Sequence, residues 1–116
     1  MKLLEFKVNS AKPVLVDGQE WWLEFPMSTV ILLEEALGRS MRSPADWLRL
    51  ETKEVPDVLR LGFTKRHPDE AEQLAAAICD NLPPEEIENV IGGLCEAACP
   101  KAMARLEEEI AKARER

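Results

Sequence analysis

The chain contains no tyrosine, one histidine and three cysteines in 116 residues. Each scarcity removes a class of function. His67 stands beside a proline with no serine or cysteine at a readable spacing, so no nucleophilic triad can be assembled around it. A helix cap or loop position is the expected role of His67. An odd number of cysteines without framework spacing argues against a disulfide scaffold and for a reducing compartment. Cys79, Cys95, Cys99 and His67 are the right residue types for a zinc site. They lack the close Cys-x-x-Cys pairs that such sites use, so no metal and no cofactor are expected.

Long apolar runs are absent too. None approaches the roughly 20 residues that span a bilayer. Glu5 interrupts the N-terminal stretch where a secretory signal would need apolar residues. A cytoplasmic location is the expectation. No glycine-rich phosphate loop occurs, because Gly92-Gly93 sits in a helical pattern without the lysine and hydroxyl such a loop requires. Carboxylates are plentiful, yet none stands in an apolar setting that would mark a general acid.

Positive charge is scarce in one half. Residues 67–116 hold five Lys/Arg against twelve Asp/Glu, while residues 1–66 hold ten of each. The whole net charge of −7 therefore belongs to the C-terminal half. Such a surface disfavours nucleic acid and anionic lipid, and it suits solubility or a basic protein partner.

What is present reads as one α+β domain over residues 1–116. Leu4, Phe6 and Val8 alternate with Glu5 and Lys7, which predicts a strand. Strands at 13–16 and 19–25 flank Asp17-Gly18, a dipeptide suited to a two-residue type I′ turn. That turn pairs Val16 with Gln19 and Val14 with Trp21. A hairpin or three-stranded meander results, with Val14, Val16, Trp21, Leu23 and Phe25 on one face.

About six short helices are expected to follow. The first covers about 28–37, capped by Ser28 or Thr29 and stopped by Gly38. Ser43-Pro44 opens the second, with Trp47, Leu48 and Leu50 as its apolar residues. Val55, Val58, Leu59, Gly62 and Phe63 mark the inward face of the third. Ala71, Leu74, Ala75 and Ile78 mark the fourth, and Ile87, Val90, Ile91, Leu94, Cys95 and Ala98 the fifth. Gly92-Gly93 within that stripe weakens the helix or admits a close neighbour. Pro100 starts the last helix, with Met103, Leu106, Ile110 and Ala113.

Trp22 shares its strand face with Glu20 and Glu24, opposite the core face. It packs beneath a loop or helix, or it anchors a partner. Phe63, near a helix end, is the second candidate contact.

One stretch carries a resemblance. Val16-Asp17-Gly18-Gln19-Glu20-Trp21-Trp22-Leu23-Glu24-Phe25 leads to Leu33-Glu34-Glu35-Ala36-Leu37-Gly38-Arg39-Ser40. Leu61-Gly62-Phe63 and the break His67-Pro68-Asp69 follow. This layout resembles the tail assembly chaperones of long-tailed bacteriophages and prophages. It is closest over 17–40 and extends in outline over 14–98. The resemblance implies a non-enzymatic virion-morphogenesis factor. Such a protein binds the long helical tape measure protein and keeps it soluble while tail tube protein polymerises around it. Self-association stays open. The rival readings are a small cytoplasmic adaptor or regulatory protein that binds another protein through helices, and a metal-binding or hydrolytic domain.

Overall fold

The computed structural model describes residues 12–16 and 18–114. Strands β1 (Lys12–Val16) and β2 (Gln19–Leu23) form an antiparallel hairpin. Six α-helices follow among the described residues: α1 (Met27–Leu37), α2 (Pro44–Leu48), α3 (Val55–Thr64), α4 (Ala71–Asn81), α5 (Ile87–Ala98) and α6 (Pro100–Arg114). Short 3-10 turns at Thr52–Glu54 and Pro84–Glu86 lead into α3 and α5. The fold is α+β, with an N-terminal hairpin ahead of the helices. The strand expected at 3–8 lies outside the described residues.

The hairpin register is the expected one, with Val16 opposite Gln19 and Val14 opposite Trp21. Gly18 takes φ +78°, the left-handed geometry that a tight primed turn needs. Leu23 and Phe25 are buried, while Val14, Val16 and Trp21 are half-buried at the margin of the core. Trp21 is thus a core-edge residue and not a central one. β2 ends at Leu23, two residues earlier than expected, because Glu24 donates its N–H to the Gly62 carbonyl at 2.9 Å.

The start of α1 also departs from expectation. Neither Ser28 nor Thr29 caps it. Pro26 is the N-cap, in an extended conformation and with no side-chain cap. Its carbonyl accepts from the N–H groups of Thr29 (2.9 Å) and Val30 (3.0 Å). Thr29 is buried instead, within the first turn. At the other end Gly38 adopts φ +70° and donates its N–H to Glu34, as a left-handed C-cap does. α2 opens with the expected Ser43-Pro44. Ser43 Oγ accepts from the Asp46 N–H, and Asp46 Oδ2 accepts from the Ser43 N–H. The Ser43 N–H also holds the Asp46 carboxyl below the usual carboxylate range.

α3 is the central helix, packed on α4, α1 and β2. Its expected inward face, Val55 to Phe63, is buried throughout. α2 packs on α5, which in turn carries α6. The five-residue helix α2 holds its place through Trp47, which is 1% exposed. The Trp47 indole Nε1 donates to the Met41 carbonyl at 2.9 Å, and its ring meets Phe25 edge-on at 4.8 Å. Leu48, expected on the apolar face, is exposed. α5 runs unbroken through Gly92, where an added Cβ would meet nothing within 4 Å, so no close neighbour explains that glycine.

Gly62 is different. A Cβ there would lie 2.6 Å from Phe25 Cζ and 2.8 Å from Leu23 Cδ2. We expect Gly62→Ala to lower stability by roughly 1–2 kcal/mol, because overpacking outweighs the helix-propensity gain of alanine. Urea denaturation measures this; an unchanged or raised midpoint would mean that the phenyl ring yields without cost.

Candidate functional site

Four of the residues that carry the chaperone resemblance have local work in the fold. Leu33 is fully buried. Glu34 accepts from the Met41 N–H at 2.9 Å and pairs with Arg42 at 3.5 Å. Gly38 ends α1. Arg39 reaches back to Glu54 at 2.8 Å and donates to the Asp46 carbonyl at 3.3 Å, tying the end of α1 to α2 and to the turn before α3. The Arg39 guanidinium holds the Glu54 carboxyl below its ordinary range. A helix-stop-linker unit therefore accounts for Leu33, Glu34, Gly38 and Arg39 without catalysis.

The two contact residues chosen from sequence part company. Phe63 is 0% exposed and belongs to the core of α3, so it offers no surface to a partner. The sequence placed it near a helix end, but that end of α3 is enclosed in the core. Trp22 is half-buried on the outer hairpin face. The Arg66 guanidinium lies 5.5 Å from its ring centroid, and Glu24 Oε2 holds Arg66 at 3.0 Å. The Trp22 backbone N–H donates to His67 Nε2 at 3.0 Å. His67 also meets the Trp21 ring edge-on at 4.9 Å. The helix-end histidine is thus an acceptor for the outer edge of β2. Arg66 and His67, just beyond the end of α3, both hold the β2 segment. No sequence signal links positions 45 residues apart.

Among the described residues, no three His, Cys, Asp or Glu side chains gather as they would around a metal ion. His67 spends Nε2 on Trp22. No disulfide links the cysteines. Cys95 is buried on the α5 stripe and its Sγ lies 3.7 Å from the Pro44 carbonyl. Burial first, and the neighbouring Cys99 second, push its thiol up to about 11. Cys79 and Cys99 are half-buried and are also raised by burial. These are poor nucleophiles. No described helix is long and apolar enough to cross a membrane.

Apolar hollows of about 250 Å³ between the hairpin, α3, α4 and α5 and of about 230 Å³ beside Pro83-Pro84 occur among the described residues, and two further apolar features lie along α1. The first is a groove of about 460 Å³ between α1, α2 and the α5–α6 junction. Phe25, Met27, Val30, Met41, Trp47 and Cys99 line it, and Arg42 is its one charged lining residue. The second is the outward side of α1, where Met27 (67%), Ile31 (49%) and Leu32 (53%) are exposed. The sequence carried a signal for this. The apolar residues of α1 run nearly all round the helix, more than one buried face requires.

Comparison with protein-family models, curated protein sequences and solved structures returned no match.

Two measurements test these contacts. His67→Ala removes an acceptor and a ring contact, and it should cost about 1–3 kcal/mol; a melting temperature equal to wild type would show that the Trp22 N–H finds water instead. With a thiol reagent at about pH 8, Cys95 should react last and only after denaturant is added. Prompt labelling of all three thiols in the native protein would contradict the burial of Cys95.

Proposed function

We propose that this chain is a non-catalytic binding protein of the tail assembly chaperone type. In this reading it acts in the host cytoplasm and holds a long helical tape measure protein soluble while tail tube protein assembles. One observation carries the reading. The open apolar groove draws Phe25, Pro26, Met27 and Val30 from the same stretch that bears the resemblance. A groove of this size seats two or three apolar side chains from one face of an amphipathic helix. The acidic balance of residues 67–116 suits a partner with basic margins. Trp22 remains the candidate anchor on the outer hairpin face, beside the exposed Leu15.

A second reading is a cytoplasmic adaptor that takes a helix of another protein in the same groove. The local work done by Leu33, Glu34, Gly38 and Arg39 favours it, since a generic helix-stop unit would use the same residues.

Co-expression with a tape-measure-like protein separates the two. The chaperone reading expects more of that protein in the soluble fraction and a complex on size exclusion. Equal solubility with and without this chain, and no complex, would reject it. Met27→Arg, in the groove lining and 67% exposed, should weaken the complex at least tenfold, about 1.4 kcal/mol, with a melting temperature near wild type. Unchanged binding would move the contact to the Trp22 face.

A further inference from the structure

The outward face of α1 is self-complementary. Its exposed positions are Met27, Ser28, Ile31, Leu32, Glu35 and Ala36. Set against the same helix of a second copy, antiparallel about a two-fold axis between Ile31 and Leu32, each position meets a fitting one. Met27 lies over the small Ala36 of the other copy. Ser28 lies beside Glu35, where its hydroxyl can donate to the carboxylate. Ile31 packs on Leu32 at the centre, twice. The two Glu35 carboxylates fall at opposite ends, about 10 Å apart along the axis, close to a Debye length.

The charge pattern of α1 points the same way. Its first turn has no acidic residue and no side-chain cap, and its last turn has no basic residue. Glu34 and Glu35 instead stand near the C-terminal end, where the helix macrodipole disfavours them. Antiparallel pairing brings Glu35 of one copy to the uncapped N-terminus of the other. It also sets the two macrodipoles head to tail. Both features that are unfavourable in one chain become favourable in the pair.

We propose that α1 is the two-fold contact of a homodimer, packed antiparallel on α1 of a second copy of this chain. The contact is isologous and closes on itself, so it makes dimers and not fibres. Two three-turn helices bury less than the roughly 1,200 Å² of a standard stable interface. Association is therefore weak and concentration-dependent. Its central pair is separate from the groove, because Ile31 and Leu32 do not line it; Met27 is the one position that the two surfaces share.

Sedimentation velocity on the full chain, from roughly 10 to 500 µM, tests the pairing. Wild type should move from one chain towards two across that range. Ile31→Glu and Leu32→Lys should each raise the dissociation constant at least tenfold while keeping the wild-type melting temperature, since both side chains are exposed. Mixing the two variants should restore dimers. The introduced carboxylate of one chain then faces the introduced ammonium of the other, and the second central pair stays Leu with Ile. Three results would overturn the proposal: wild type monomeric at all concentrations, single variants that dimerise like wild type, or a mixture that stays monomeric. Loss of binding to a helical partner by Ile31→Glu, with self-association intact, would also overturn it and give the face to that partner.

Discussion

The hairpin comes nearest to the helical body at Gly62. The missing side chain leaves room for Phe25 and Leu23 against α3, within 3 Å of where a Cβ would stand. The backbone follows, with the Glu24 N–H on the Gly62 carbonyl. A two-stranded hairpin alone is marginal in water. Here its exit strand is bonded to the central helix, and Phe25 passes on to meet Trp47 edge-on. That line of contacts runs from α3 through the end of the hairpin to α2. The outer edge of β2 is closed in the same way, since the Trp22 N–H is taken by His67 just beyond α3.

Two arginines tie elements together. Arg39 links the end of α1 to Glu54 and Asp46, and Arg66 links the end of α3 to Glu24 across the Trp22 ring. Exposed pairs of this kind contribute little individually. Their value is positional: they set the angles at which a five-residue helix and a short hairpin meet the core. The acidic surplus falls after residue 66 in the sequence.

α1 contributes to two apolar surfaces, one wall of the groove shared with α2 and the α5–α6 junction, and an outward helix face. Met27 belongs to each. An apolar helix buried on one side and bare on the other is costly in a monomer that meets only water. A groove suits a helix whose side chains enter one after another. A flat, self-matching face suits a second copy.

Local chemistry determined much of this by itself. Asp17-Gly18 set the hairpin register, Gly38 and Ser43-Pro44 marked a helix end and a helix start, and the spacing of Val55, Val58, Leu59, Gly62 and Phe63 named a buried face. These signals act within a few residues, so they are legible in one dimension. Tertiary structure decided the rest. Pro26, not Ser28 or Thr29, starts α1, because its carbonyl meets two N–H groups once the chain turns off β2. Phe63 and Trp22 were both candidate contacts until the core enclosed one and Arg66 leaned over the other. His67 looked like a helix end until β2 arrived beside it from 45 residues away. Such outcomes depend on which elements touch, and periodicity along a chain carries no record of that.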